Sequence, residues 1–326
     1  MFYRKAPKGK VMRKSQDPTS EVKQINHNGL KWIDIIKPTK NHIDMLKLQF
    51  NFHDLLLEDC LTEHQRPKVD DFDDYCFIVL HLPRYKKETG SMETEEVDIF
   101  IGSDYLVTLH EGELKPLVGL ANVCSMKTTA KQEYMSKGSA LLLYEIIKRL
   151  FNYCFPMLDK IDIRLSDINQ NVFKDVSKTM LETITKTKMQ IINYRRVIKP
   201  LRPVILMLEK VITKFLPEDM DVYFDDITDK MEKIWDMLEN HKEVIESMDS
   251  TFSALTNQRI NNLMRTFTVV QVVTLPMVLV GGLFSMNVEG VPMHLYPGGF
   301  WIVFGMILVP TGLIGLILMI NRKKWF

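Results

Sequence analysis

What the sequence lacks narrows its function first. Its 326 residues balance 42 Lys and Arg against 41 Asp and Glu, a net charge of +1, so no basic excess is available to hold nucleic acid. There is no Walker loop, dinucleotide fingerprint or Cys/His zinc spacing, and no nucleophile with a matching base. A nucleotide ligand, a nucleic-acid partner and an enzyme are therefore left without a motif.

Charge is missing altogether from two stretches, 266–284 and 298–320. As helices they would measure roughly 28 Å and 34 Å, enough to cross a hydrocarbon core of about 30 Å. The loop between them has no Lys or Arg, whereas Arg259 and Arg265 precede the first span and Arg322, Lys323 and Lys324 follow the second. Positive charge stays on the cytoplasmic side, so both termini are expected there, in a multi-pass protein of the plasma or inner membrane in contact with lipid. The four cysteines, Cys60, Cys76, Cys124 and Cys154, are widely spaced and in that compartment are expected to be reduced and partly buried. Arg4, Lys5, Lys8, Lys10, Arg13 and Lys14 come before any acid. No apolar stretch follows them, so a flexible basic tail touching anionic lipid or acidic helices is expected rather than a signal peptide.

What is present gives an α+β membrane protein. Residues 30–36 read as a strand and Thr39 caps a helix to about Phe50, with Ile43, Leu46 and Phe50 at helical spacing. Residues 55–61 form a short apolar segment holding Glu58 and Asp59, and 75–82, 97–101 and 105–110 read as strands. His42, His53 and His64 read as surface residues. Helical periodicity takes over at 140–173, interrupted by Pro156, and again at 177–199, broken by Pro200 and Pro203; a third short run ends at Pro217. The plan is a tail at 1–20, an α/β cytoplasmic domain at 21–137 and a helical hairpin region at 138–217. A stalk helix running into the first transmembrane helix at 218–284, an outer loop at 285–297, a second transmembrane helix at 298–321 and a basic end at 322–326 complete it.

From 218 to 275 neither Gly nor Pro occurs, which as one helix would span on the order of 87 Å. Phe224, Ile227, Met231, Ile234, Leu238, His241, Ile245, Met248, Phe252 and Leu255 recur along it as a heptad seam, predicting helix association. Beside the seam runs an acidic stripe, Asp225, Asp229, Glu232, Asp236, Glu239, Glu243 and Glu246, either a solvated face or a concentrator of cations. Further along, Asn261, Met264, Thr268, Gln271, Leu275, Val278 and Gly282 share one face of the first span. Amides and hydroxyls there are costly in hydrocarbon. They fit a packing face whose Thr residues bond back to the backbone, or a water-lined pore built by several copies of the helix.

Taken together, these features resemble the CorA-type divalent-cation channels, marked by Gly-Met-Asn at the end of the first span. Here the residues are Ser285-Met286-Asn287, followed by Val288-Glu289-Gly290-Val291-Pro292. Leu57-Glu58-Asp59, His64-Gln65-Arg66-Pro67, and Tyr223-Phe224 with Asp226 and Asp229 extend the likeness over residues 30–326. The resemblance implies a funnel-shaped homopentamer taking up Mg2+, with Co2+ and Ni2+, driven by the membrane potential. It implies a filter at Ser285, Met286, Asn287 and Glu289, a ring of neutral amide oxygens from Asn287 suiting an ion that gives up water reluctantly. Asn261, Met264, Thr268, Gln271, Leu275, Val278 and Gly282 would line the pore, with Met264 and Leu275 as apolar constrictions. It also implies a regulatory Mg2+ between subunits, held by Asp59 and Asp226 with Glu58 and Asp229 nearby, favouring the closed state. Ser285 departs from the family's Gly: either the backbone there has an ordinary φ, or the hydroxyl adds an oxygen at the mouth. Gln271 either eases wetting or bonds between subunits. The alternatives are a Zn2+ or other transition-metal transporter, for which His294 is the one path-side imidazole, and a membrane-anchored coiled-coil assembly or signalling protein.

Overall fold

The computed structural model describes residues 20–62, 65–86, 91–215, 221–286 and 297–320. Strands β1 (Glu21–His27) and β2 (Leu30–Ile36) form an antiparallel hairpin. Its turn residues Asn28 and Gly29 hold φ at 47° and 80°, the geometry whose twist matches the flanking strands. Helix α1 (Lys40–Phe50) begins after Thr39, and the Thr39 N–H donates to His42 Nδ1 at 3.3 Å. Helix α2 (Asp54–Asp59) begins after His53, whose Nδ1 accepts the Leu55 N–H at 3.2 Å. Two histidines expected as plain surface residues thus satisfy backbone donors at helix starts; His64 lies outside the described residues.

Strands β3 (Lys68–Asp71), β4 (Tyr75–Lys86), β5 (Ser91–Gly102) and β6 (Tyr105–His110) complete a sheet of order β1-β2-β6-β5-β4-β3. Only β2 and β6 run parallel, and a parallel neighbour requires a crossover. Alternation sends Ile33, Ile35, Phe77, Val79, Phe100 and Val107 to one face, where they pack with Leu46, Phe52 and Leu57 of the α1–α2 segment. The opposite face buries Trp32, Ile78, Leu80, Ile99, Ile101 and Leu106. Helices α3 (Lys115–Met126), α4 (Thr128–Met135), α5 (Ser139–Asn171), α6 (Lys178–Ile198) and α7 (Leu201–Val211) follow, and α5 and α6 pack on the sheet.

Pro156 does not interrupt α5. Its missing N–H leaves the Asn152 carbonyl without a helical donor, but both residues are exposed, so water can replace the bond. Pro200 and Pro203 do end one helix and open the next: Pro200 precedes α7 and Pro203 falls in its first turn, where an N–H would be unpaired anyway.

Helix α8 (Asp221–Ser285) is a single element of 65 residues running through Pro276, and α9 (Gly299–Ile320) closes the described chain. Both are long and apolar enough to cross a membrane. The chain divides into two compact units, Met1–Val172 with Ser177–Met248, and Phe173–Val176 with Asp249–Phe326. In the first unit the heptad seam finds its partners within the chain. Phe224, Ile227, Met231, Ile234, Leu238 and Ile245 are buried, while Arg202 of α7 donates to Glu232 at 2.6 and 3.0 Å and Arg195 of α6 to Glu239 at 2.5 Å. The two guanidinium groups also lie 5.2 and 5.3 Å from the Trp235 ring centroid. Three acids of the stripe are therefore paired, Glu246 with Lys242 at 3.8 Å being the third, and Asp225, Asp229, Asp236 and Glu243 are exposed.

A buried polar network ties the parallel strands together. Trp32 Nε1 donates to Thr108 Oγ1 at 3.1 Å, Thr108 Oγ1 to Asp34 Oδ1 at 2.6 Å, and the Gly112 N–H to His110 Nδ1 at 3.0 Å. With Nδ1 accepting, the His110 proton sits on Nε2, 3.0 Å from Asp34 Oδ1. Thr108→Val strands a buried indole N–H and removes a donor from Asp34, so it should destabilise the fold by about 1–3 kcal/mol, read as a lowered midpoint in thermal unfolding.

His241, a seam position 3% exposed, has Nε2 at 3.5 Å from Asp162 Oδ1 of α5. Burial lowers its pKa, against the opposing pull of Asp162 and Asp159. The unfolded chain then takes up a proton more readily than the folded one, so stability present at neutral pH should decline as pH falls below the ordinary histidine value of 6.5. His241→Gln should flatten that limb of a stability profile measured between pH 5 and 8.

Candidate functional site

The polar stripe of the first span lies on the open side of α8. Asn261, Met264, Thr268, Gln271, Leu275, Val278 and Gly282 are all exposed. The half-buried positions of the same stretch are Val269, Val273, Pro276, Val280 and Phe284, which at 3.6 residues per turn cluster roughly 150° around the helix from the stripe. The positions of α8 that its own chain partly covers are therefore apolar, and the polar stripe lies among the exposed positions, which also include Val270, Val272 and Leu279.

Each threonine of the span donates to its own backbone. Thr266 bonds Asn262 O at 3.0 Å, Thr268 bonds Met264 O at 2.8 Å and Thr274 bonds Val270 O at 3.0 Å. That is the pattern of a packing helix. A hydroxyl so used keeps its oxygen lone pairs, so exposed Thr268 turns an acceptor outward, the half of the group that a cation uses.

Ser285 is the last residue of α8. Positive φ among described non-glycine residues is confined to Asn28, Lys37 and Asn51, so the first of the two expectations for Ser285 holds: its backbone is ordinary. Its Oγ donates to Gly282 O at 2.9 Å, and Met286 N–H reaches Leu283 O at 3.4 Å. Asn287, Glu289 and His294 lie outside the described residues, as does the basic end at 322–326.

The four acids expected to hold a regulatory ion occupy two helices. Glu58, exposed, and Asp59, with 18% of its side chain open, end α2. Asp59 Oδ2 is 3.2 Å from Lys68 Nζ, which also reaches Asp70 at 2.8 Å. On α8, Asp226 accepts the Tyr144 hydroxyl at 3.0 Å and pairs with Lys230 one turn on. The Lys230 ammonium holds the Asp226 carboxyl below the usual range, opposed by partial burial and aided by Tyr144. Asp229 is exposed. Among the described residues of one chain, no three His, Cys, Asp or Glu side chains stand close enough to hold a metal, so these acids do not form a site inside a single subunit. As a donor set they are all carboxylate oxygen, the hard ligand class that suits Mg2+. Lys68, Lys230 and Tyr144 were not singled out by the sequence reasoning. The i,i+4 spacing of Asp226 and Lys230 is a legible signal, but the approach of Tyr144 and Lys68 depends on the fold.

Comparison with known proteins bears on the family. A family model described as CorA-like Mg2+ transporter protein matches residues 27–324. YfjQ of Bacillus subtilis, provisionally named a metal ion transporter, is 30% identical over 295 residues, 90% of this chain and 89% of its own. The cobalt/magnesium transport protein CorA of Thermotoga maritima is 25% identical over 316 residues, 96% of this chain and 85% of that one. In fold, the complete structure of the CorA magnesium transporter from Methanocaldococcus jannaschii aligns with a TM-score of 0.76 at 20% identity, over 94% of this chain and 98% of that one. With the family model matched over nearly its whole length, this chain belongs to the CorA-like Mg2+ transporter family and is a divalent-cation transporter of the membrane, not an enzyme.

Proposed function

We propose that this transporter is a Mg2+ uptake channel, a homopentamer in which α8 of every subunit contributes to one axial path. The observation that carries the reading is the exposed stripe of Asn261, Thr268 and Gln271 on the side of α8 opposite its covered face. One helix cannot enclose water, so polar groups on its free side call for further copies. In such an assembly Asn287 rings the outer mouth with neutral amide oxygens and Glu289 concentrates cations outside it, while Ser285 and Met286 set the last turn beneath. Met264 and Leu275 are apolar rings that close by dewetting, Val278 and Gly282 leave the outer half wider, and Asn261 forms the inner polar ring. Moving a divalent ion inward gains about 4.6 kcal/mol per 100 mV, at about 2.3 per charge, so no nucleotide is needed.

Closure follows from the carboxylates. Asp59 with Glu58 on one subunit, and Asp226 with Asp229 on its neighbour, repel across an interface until a cation lies between them. A divalent ion bound there favours the closed arrangement, and depletion of cytoplasmic Mg2+ releases it.

Two other readings fare less well. A Zn2+ or other transition-metal transporter would be expected to place His or Cys on the path, and the stripe has neither. A membrane-anchored assembly protein would use its coiled-coil seam to reach partners, and here the first unit buries that seam inside the subunit.

Uptake of Mg2+ and Co2+ by purified protein in liposomes tests the pore. Gln271→Leu removes the mid-span amide and should cut flux about tenfold, an added barrier of about 1.4 kcal/mol; unchanged or increased flux rejects the wetting role. Neutralising both sensor acids, Asp59→Asn with Asp226→Asn, should leave uptake running when the liposomes are preloaded with Mg2+, and unaltered inhibition by internal Mg2+ counts against that assignment.

A further inference from the structure

Each half of the proposed regulatory site already carries a cation of its own. Asp226 is paired with Lys230 four residues along the same helix, with side chains 40% and 21% exposed. Tyr144 OH fills the other carboxylate oxygen at 3.0 Å, and Lys148, 5.1 Å from the Tyr144 ring centroid, adds positive potential to the same carboxylate. Asp59 has Lys68 at 3.2 Å, and Lys68 is shared with Asp70 at 2.8 Å. These are the two carboxylates a divalent ion would have to bridge, and neither stands as a bare anion in its subunit.

We infer that Lys230, assisted by Lys68, is a tethered competitor that sets the Mg2+ concentration at which the regulatory site fills. The inference rests on the reading of Asp59 and Asp226 as halves of a cation site. An ammonium at hydrogen-bonding range of a carboxylate occupies the space a metal would take. A divalent ion binding there must expel the lysine or accept its repulsion. The lysine tunes the site and does not block it: partly exposed ion pairs are weak, and a lysine head on a four-carbon stem can swing away. Lys68 has a second acid, Asp70, to retire to when Asp59 is taken. At a water-like dielectric, a divalent and a monovalent charge about 6 Å apart change affinity roughly tenfold. The consequence is a sensor that answers to higher Mg2+ than its carboxylates would if bare.

The test uses full-length protein in detergent, with no transport measured. Mg2+ is titrated against equilibrium binding and against protection from limited proteolysis. Lys230→Met should lower the half-maximal Mg2+ concentration roughly tenfold, Lys230→Gln should do the same, and Lys230→Arg, which keeps the charge, should stay near wild type. In an Asp226→Asn background the Lys230→Met change should have no further effect. A midpoint unchanged or raised in both neutral variants, while Asp226→Asn abolishes the response, overturns the lysine role and leaves the carboxylate reading standing. A wild-type midpoint in Asp226→Asn overturns the carboxylate reading beneath it.

Discussion

An amide in hydrocarbon without a partner costs several kcal/mol, and α8 carries one, Gln271, within its uncharged span. Its covered face is apolar, Val269, Val273 and Val280 among the half-buried residues, while Gln271 and Thr268 are left on the free side. The second apolar helix offers a contrast within the same chain. On α9 the hydroxyl of Thr311 is returned to Ile307 O at 2.7 Å, and Phe300, Trp301, Leu308, Val309 and Leu316 are exposed around it, a composition that lipid tolerates on every side. Thr268 is returned to Met264 O in the same way at 2.8 Å, so the difference between the two helices rests on the amide of Gln271.

The long helix handles its charges by the same principle. Where it packs, its acids are matched: Glu232 and Glu239 meet the arginines of α7 and α6 across Trp235. Where it does not, Asp225, Asp229 and Asp236 remain in water. Asp226 is about as open as the paired Glu232 and Glu239, 40% against 38% and 34%, and is held by Lys230 and the Tyr144 hydroxyl.

Much of this was legible in the residues, for reasons that differ by element. Strand 30–36 and the helix after Thr39 were read at their observed limits because five of the strand's seven residues, Leu30, Trp32, Ile33, Ile35 and Ile36, are apolar and a cap is a local event. The edge strands β1 and β3 were missed: only Ile25 in one and Val69 in the other are buried, so their polar sequences carry no strand signal. The caps supplied by His42 and His53 were missed because Asp, Asn, Ser and Thr are the usual signal at that place. The run 140–173 was read as one helical stretch and is α5, with Pro156 inside it and the Asn152 carbonyl it frees open to water. In the site, the stripe on α8 follows from period alone, and its separation from the covered face needed coordinates. The ordinary φ at Ser285 was one of two options in the sequence; the other concerns a loop that lies outside the described residues.

The glycines near that helix end carry the argument one step further. Glycine inside a helix is less favourable than alanine by about 1 kcal/mol, and α8 has two in succession, Gly281 and Gly282. A Cβ built at either meets nothing within 4 Å in the described chain, and neither needs positive φ. The subunit by itself therefore gains no packing contact from their lack of side chains. The same holds for Gly305, Gly312 and Gly315 of α9. Membrane helices use glycine to let backbones approach, which accounts for such positions when a neighbour is present. Gly282 is the one on the polar stripe. If copies of α8 surround an axis, the missing side chain there widens the path one turn inside Ser285, and a cost without return in one chain becomes useful in the assembly.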